Sequence, residues 1–175
     1  MTARLGRADL HVHTLASDGT SGIGEILERV ERETDLDVIA ITDHERIDAA
    51  LAARALAADR GLAFEVVVGE EVTTLGGHLL ALYIEEPIRP YRSLRATIVA
   101  IHEQGGLAIP AHPLVPYPLC AQGWVLRRLI EDPDPAVHPD ALETFNPTAL
   151  GRPWHERVVA FAERRTPEYT RESRL

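Results

Sequence analysis

The sequence predicts an α/β fold built around a mostly parallel β-sheet, open or closed. Short apolar runs rich in β-branched residues, which are typical of buried strands, alternate along the chain with stretches of helical periodicity. This alternation is that of βαβ units, whose strands lie parallel. Several histidines and acidic residues stand at the ends of the strand-like runs. Functional groups collect at the carboxyl ends of parallel strands, so the pattern also predicts where a site would form.

The first predicted strand covers residues 9–14 of the stretch ADLHVHTLASDG, in which polar and apolar residues alternate. A Ser-Asp-Gly turn follows, and a helix begins near Ile23, where apolar residues recur every three or four positions. We expect Thr20 or Ser21 to cap this helix. The second strand, residues 37–42, is almost wholly apolar, as in strands that are buried on both faces.

An alanine-rich helix is predicted over residues 48–60, with Gly61 as its left-handed stop. The third strand covers residues 62–68 and runs into Gly-Glu-Glu, and residues 72–74 can extend it. A glycine pair then turns the chain back into a fourth strand, residues 78–84.

In the second half of the chain, Ser93 is placed to cap a helix that another glycine pair ends. The fifth strand covers residues 107–111. A short helix over residues 124–131 lies between proline-rich loops, and a sixth strand covers residues 141–145. A last helix is predicted over residues 154–165, after a proline suited to the first helical turn.

The composition is that of one soluble globular domain. The chain has 175 residues, 45% of them hydrophobic, and no apolar run long enough for a signal peptide or a membrane span. A net charge of −9 argues against a broad grip on a nucleic-acid backbone, but not against a small phosphorylated substrate. The single cysteine, Cys120, excludes an internal disulfide and favours the reducing cytoplasm.

Candidate metal ligands lie at the ends of the predicted strands. On the first strand Asp9, His11 and His13 share one face, and burying such groups together is costly unless a cation lies among them. Taken alone, this stretch is also compatible with two surface histidines on an edge strand. The further candidates at strand ends are His44, Glu71 and His112. Because imidazole and carboxylate donors suit divalent transition metals, we expect a metal site at this edge of the sheet.

Four motifs, in this order, resemble those of the PHP (polymerase and histidinol phosphatase) family of metal-dependent phosphoesterases. They are DLHVHT with SDG, ITDH, GEEVTT followed by HLLALY, and AHP, and they fall within residues 8–146. The resemblance implies a distorted (β/α)7-type barrel. It also implies two or three divalent metal ions, manganese, zinc or iron, at the carboxyl ends of the strands.

The resemblance further implies roles for individual residues. The implied metal ligands are His11, His13, Asp18, His44, Glu71, His78 and His112. Glu71, in the family's Gly-x-Glu, would bridge two ions. His78 opens a strand, so an antiparallel fourth strand is needed to return it to the same rim. Asp9 and Asp43 would each orient an imidazole.

The C-terminal part departs from the family pattern. A Ser-Asp-x-His-like motif normally closes the barrel, and nothing after Asn146 matches it. We therefore expect an incomplete barrel, with the PHP domain over residues 1–165 and an irregular tail over residues 166–175. The missing strand would leave an open edge beside the first strand, which predicts self-association.

These features favour metal-assisted hydrolysis of a phosphomonoester, or of the phosphodiester of a nucleotide or short oligonucleotide. Glu71, Asp43 and Arg46 are the predicted catalytic residues, and Arg46 and Arg152 are candidates to hold the phosphate. Hydrolysis of an amide or lactone is a second hypothesis, weakened because the sequence contains no lysine. The third hypothesis is a metal-binding remnant or partner-binding module without turnover, and the absence of the closing motif favours it.

Four residues are expected to play no part in the site. His102 is predicted to be a surface residue of a helix, His138 a loop residue and His155 a solvated residue of the last helix. Cys120 is predicted to be a passive, partly buried thiol.

Overall fold

The computed structural model describes residues 6–147, 149 and 151–165. The strands are β1 (Ala8–Val12), β2 (Val38–Ile41), β3 (Glu65–Thr74), β4 (Gly77–Leu82) and β5 (Leu107–Pro110). The helices are α1 (Ile23–Glu33), α2 (Asp48–Arg60), α3 (Leu94–His102), α4 (Gly123–Ile130) and α5 (His155–Arg165). Short 3₁₀ turns lie at Pro135–Val137 and Arg152–Trp154.

The five strands form one sheet in the order β1-β2-β3-β4-β5. β1, β2 and β3 are parallel, whereas β4 runs antiparallel to both β3 and β5. A tight turn rather than a helix joins β3 to β4, and such a short connection is possible only between antiparallel strands. The sheet curls into half a barrel, which confirms the α/β class and the incomplete barrel.

Apolar side chains pack on both faces of this sheet. The larger cluster lies between the sheet and helices α1 to α4 and contains Val68 and Leu79. The smaller cluster, on the opposite face, contains their neighbours Val67 and Leu80. This alternation follows the two-residue period of a strand. β3 and β4 are therefore buried on both faces.

Two helix ends follow the local signals in the sequence. Gly61 ends α2 in the left-handed conformation, with φ of 61°. The Ser93 hydroxyl accepts a hydrogen bond from the backbone nitrogen of Ala96 at the start of α3. Both predictions are confirmed.

The predicted cap of α1 is wrong. Gly22 is the N-cap residue, and no side chain caps the helix. The carbonyl of Ser21 instead accepts a hydrogen bond from Leu15, 3.0 Å away. Thr20 and Ser21 therefore belong to the loop that folds back on β1.

The sixth predicted strand, residues 141–145, is also not formed. Two backbone hydrogen bonds join this part of the chain to β5, from Asp140 to Ala108 at 2.9 Å and from Glu143 to Pro110 at 3.3 Å. In the described part of the chain, no strand pairs with its outer side. With such sparse pairing the segment is extended but is not a strand.

The opposite edge of the sheet is β1, which within the described ranges pairs with β2 alone. Self-association through this edge stays a prediction. The predicted tail, residues 166–175, lies outside the described residues, so the domain boundary at residue 165 stays a prediction too. Of the helices in the described part, none has the length and apolar character needed to span a membrane.

Candidate metal centre

Glu71 on β3 lies at the centre of a cluster of imidazoles, and its side chain is only 2% exposed. Its Oε1 lies 2.8 Å from Nδ1 of His78 and 2.9 Å from Nε2 of His112. Its Oε2 lies 3.1 Å from Nε2 of His11 and 3.0 Å from Nε2 of His13. A single buried carboxylate therefore contacts four imidazoles.

A fifth imidazole and a second carboxylate extend the cluster. Nε2 of His44 lies 3.5 Å from Glu71 Oε2 and 3.7 Å from Asp18 Oδ2. Oδ1 of Asp18 accepts a hydrogen bond from Nδ1 of His13. Asp18 reaches the cluster because its loop folds tightly against β1, where a Cβ at Gly19 would collide with the His13 backbone. The structure thus brings together all seven residues that the PHP resemblance implies as ligands.

The order of the strands explains this convergence. β1 supplies the first two histidines at its carboxyl end, and His44 and His112 follow β2 and β5 directly. His78 lies near the start of β4, but β4 is antiparallel and pairs His78 with Thr73 near the end of β3. The predicted return of His78 to the same rim on an antiparallel strand is confirmed.

The donors form overlapping groups of the size that a metal ion requires. Three sets each have their ligand atoms within 4.8 Å of one another: His11 with His13 and Glu71, His13 with Asp18 and His44, and His44 with Glu71 and His78. Nε2 of His11 and Nε2 of His13 are only 3.0 Å apart, a separation at which two ring protons would repel and a shared cation would attract both nitrogens. The donor set therefore fits divalent metal ions.

The charges in the cluster favour cations. Burial by itself would raise the pKa of Glu71, but hydrogen bonds from four imidazoles outweigh it and hold that pKa well below its ordinary value. Burial opposes protonation of His11, yet contacts with Glu143 and Glu71 raise its pKa to about 10. The pKa of His13 is likewise raised against burial by Glu71 and Asp18. The cluster thus holds positive charge strongly, and metal ions would bind in exchange for these protons.

Asp43 and Asp9 do not orient imidazoles as expected. Asp43 is buried, and its carboxylate accepts hydrogen bonds from the nitrogen and hydroxyl of Thr14, each at 2.8 Å, and from the hydroxyl of Ser17. Asp9 accepts from the backbone nitrogen of His11 at 3.3 Å, not from its ring. Because the donors that face Asp43 come from the loop after β1, this residue anchors that loop.

The predicted phosphate-binding arginines also have other partners. Arg46 donates to both carboxylate oxygens of Asp48 at 2.7 Å and to the carbonyl of Ala16 at 2.9 Å. Arg152 donates to the carbonyl of Pro147 at 2.7 Å. Arg46 is not among the residues that line the cavity at the cluster, and its catalytic role stays a prediction.

The cluster opens into a cavity of about 1220 Å³. Beyond the cluster its walls come from β1, β5, α5 and the segment after β5, and they include the apolar side chains of Leu10, Ile109 and Phe145. This space accommodates a ligand of nucleotide size.

Comparison with known proteins identifies the fold and a relative. No protein-family model matches the chain. The uncharacterized protein MJ1587 of Methanocaldococcus jannaschii is 36% identical over 124 residues, which cover 63% of this chain and 69% of the archaeal protein.

Among solved structures, a candidate metal-dependent phosphoesterase from Bifidobacterium adolescentis has a TM-score of 0.68 at 17% identity, with 93% of this chain and 85% of that chain covered. An amidohydrolase from Chromobacterium violaceum, with sulfate bound and no metal, has a TM-score of 0.65 at 17% identity. The match covers 90% of this chain and 83% of that chain. The third structure is a two-domain protein from Bacteroides vulgatus that contains a predicted PHP-like metal-dependent phosphoesterase. Its TM-score is 0.52 at 21% identity, and the match covers 62% of this chain and 35% of that chain.

This chain has the PHP fold and belongs to the family of the archaeal protein. The solved structures therefore confirm the fold that the four motifs imply. Two residues at the cluster were missed by sequence reasoning.

The first missed residue is Glu143. Its Oε1 accepts a hydrogen bond from Nδ1 of His11 at 2.9 Å, and its Oε2 accepts from the backbone nitrogen of His112. Glu143 thus connects the end of β1 to the end of β5, the two edges of the half-barrel. A signal was available, because Glu143 is the acidic residue of the strand-like run ALETF.

The second missed residue is Cys120, whose sulfur lies 3.1 Å from Nδ1 of His112. Burial raises the pKa of its thiol to about 11, so the group is neutral at physiological pH. Cys120 is buried as predicted, but it contacts a member of the cluster. It lies in a proline-rich loop without periodicity, so no sequence signal placed it there.

The remaining histidines, His102, His138 and His155, lie outside the cavity and hold local structure. His102, His138 and His155 each contact a backbone carbonyl, at 2.9, 2.8 and 2.6 Å. His102 also contacts Asp140 at 2.9 Å, so it anchors the segment before Glu143 and is more than a surface residue.

Proposed function

We propose that this PHP chain is a metal-dependent hydrolase of phosphoesters. The observation that carries the proposal is the buried carboxylate of Glu71 with five imidazoles around it, at distances from 2.8 to 3.5 Å. The donor sets share His13, His44 and Glu71, as a centre with more than one ion requires. The proposed metal is manganese, zinc or iron, at two or three sites.

The proposed ligands are His11, His13, Asp18, His44, Glu71, His78 and His112. Glu71 has both oxygens within the cluster and is the proposed bridge between ions. Glu143 is a positioning residue, because it accepts from Nδ1 of His11 and so directs Nε2 of that ring into the cluster. Bound ions would supply an activated water and stabilise charge on the phosphate oxygens, and this chemistry requires no protein nucleophile.

The proposed substrate is a phosphomonoester, a nucleotide or the end of a short oligonucleotide. The cavity of about 1220 Å³ has room for a nucleotide. The net charge of −9 argues against a long nucleic-acid footprint.

Hydrolysis of an amide or lactone is the second candidate, and one observation favours it: the Chromobacterium violaceum protein is an amidohydrolase. Against it stands the absence of lysine from the chain, since His-x-His amidohydrolase barrels typically use a lysine at a strand end.

The experiment that tests the proposal is metal stripping with EDTA followed by reloading with manganese or zinc. Metal content is measured by elemental analysis, and turnover is measured on p-nitrophenyl phosphate, a nucleoside monophosphate, a short oligonucleotide, an amide and a lactone. We expect more than one ion per chain and phosphate release only after reloading. His44→Ala should lose both properties, and His138→Ala, whose ring contacts the carbonyl of Asp132 outside the cavity, should keep both.

Three results would change the conclusion. Phosphate release that persists in EDTA contradicts a metal-dependent reaction. Turnover of the amide or lactone alone supports the second candidate. Metal uptake without turnover of any substrate supports a metal-binding remnant or partner-binding module.

A further inference from the structure

A second cavity, of about 580 Å³, lies between the loop 113–122, α4 and the start of α5. Its polar lining comes from Gln122, Arg127 and Arg157, and its aromatic lining from Trp154 and Phe161. We call it the arginine groove. No role in the metal cluster accounts for these residues.

The groove is positively charged although the protein is acidic. The chain has 27 acidic residues and 18 arginines, yet no carboxylate occurs among the described residues that line the groove. Arg46, Arg54 and Arg95 each form an ion pair elsewhere on the surface. Arg127 and Arg157, by contrast, form no ion pair with any carboxylate in the described ranges. Two guanidinium groups that have no counter-charge among the described residues attract an anion.

The groove also offers an aromatic surface next to this charge. The guanidinium carbon of Arg157 lies 4.4 Å from the centre of the Trp154 ring, a cation–π contact. Trp154 is only half-buried, so part of its ring stays accessible. A guanidinium that stacks in this way keeps hydrogen-bond donors for phosphate oxygens. Aromatic rings and arginines together are the features on which proteins stack bases and hold their phosphates.

The arginine groove and the metal cavity share two walls. In the loop 113–122, Leu114 lines the groove, whereas Tyr117 and Cys120 line the metal cavity. In α5, Arg157 lines the groove, whereas Val159 lines the metal cavity. One loop and one helix therefore separate the two spaces.

We propose that the arginine groove binds a nucleotide, with its base against Trp154 and its phosphate between Arg127 and Arg157. Binding in the groove requires no metal. The further role of the groove as a subsite for a part of the substrate that is not hydrolysed rests on the function proposed above.

The test uses the fluorescence of Trp154 in the full chain. The protein has two tryptophans, so Trp124→Phe leaves Trp154 as the single tryptophan. AMP, adenosine and inorganic phosphate are titrated separately in EDTA. We expect AMP to change the fluorescence saturably and to bind at least about fivefold more tightly than adenosine or phosphate.

Variants then locate the binding site. Arg127→Gln and Arg157→Gln should each weaken AMP binding at least about fivefold. Arg128→Gln, on the same helix but outside the groove, should weaken it less than about twofold. Circular dichroism checks that each variant is folded, and calorimetry on the unaltered chain provides a second measurement if Trp124→Phe is unstable.

The outcomes separate this proposal from the hydrolase proposal. AMP binding in EDTA without turnover after metal loading supports the groove and contradicts the hydrolase. Turnover without saturable AMP binding in EDTA contradicts the groove alone. Three results would overturn the proposal. Equal affinity for phosphate and AMP would show that the groove binds anions in general, and equal affinity for adenosine and AMP would show that it only stacks bases. Equal effects of the Arg127 and Arg128 substitutions would show a non-specific effect of charge.

Discussion

Replacement of Glu143 by alanine removes a carboxylate that contacts two members of the cluster but is not itself a proposed ligand. Its side chain is 12% exposed, and it accepts from Nδ1 of His11 and from the backbone nitrogen of His112. Without it, the His11 ring loses the acceptor that fixes its orientation, and the His112 N–H loses its partner. The first loss lowers the affinity for metal, and the second lowers the free energy of unfolding.

The magnitudes follow from these two contacts. Loss of a carboxylate that orients a ligating imidazole weakens metal binding by about 10- to 100-fold, or about 1.4 to 2.8 kcal/mol. A backbone N–H left without an acceptor lowers the free energy of unfolding by about 1 to 3 kcal/mol. Glu143→Gln should show a smaller effect than alanine, because its single side-chain oxygen can accept from only one of the two donors.

Manganese affinity is measured by competition with a chromophoric chelator, and the free energy of unfolding by urea titration in EDTA. Glu156→Gln, an exposed acidic residue in the first turn of α5, serves as the control for the lost charge. If Glu143→Ala binds manganese within about twofold of the unaltered chain, the contact with His11 does not position that ring and our reasoning is wrong.

Three further predictions concern single side chains. His11→Ala should carry less metal than His102→Ala by elemental analysis, because only His11 lies in the cluster. Asp43→Asn should lower the free energy of unfolding by about 1 to 3 kcal/mol in EDTA, since an amide cannot accept all three hydrogen bonds that Asp43 receives. Burial raises the pKa of Glu70 from 4.5 to about 7, so folded protein keeps a proton that unfolded protein releases, and stability should fall between pH 4.5 and 7. Glu70→Gln should reduce this fall, which amounts to at most about 3 kcal/mol, as measured by urea unfolding in EDTA.

Each of these has a contradicting result. Equal metal loss at His11 and His102 would mean that the cluster is not the metal site. An unchanged unfolding free energy in Asp43→Asn would mean that its loop is held by other contacts. A Glu70→Gln chain with the same pH dependence as the unaltered chain would place the titrating group elsewhere.

Local signals predicted much of the fold. Gly61 and Ser93 act through their nearest neighbours in the chain, so the sequence was enough to place both helix ends. The prediction of a sixth strand was wrong because a strand forms only with a hydrogen-bonded partner. The strand-like run has few hydrogen bonds to β5 and remains an extended segment.

The composition of the cluster was predictable, whereas its supporting contacts were not. His13, His44 and His112 follow strands that run in the same direction, so their ends meet at one rim, and His78 reaches that rim because it begins an antiparallel strand. The partners of Asp43 and Cys120 depend on how two loops fold, and neither loop has a periodic pattern. Glu143 was missed because its partner His11 lies 132 positions earlier in the chain.

The two adjacent carboxylates of β3 present the folding chain with an ambiguity of register. A slip of β3 by one residue would bring Glu70 to the imidazoles and move Glu71 to the place of Val72 in the apolar core, so an acidic residue alone does not select the native alignment. Gly69 does. A Cβ at this position would lie 2.9 Å from side-chain atoms of Thr42 and Leu82, and the slip would place Val68 there. In the slipped register Val68 would therefore displace Thr42 and Leu82, and this cost adds to that of burying Glu71 in the apolar core.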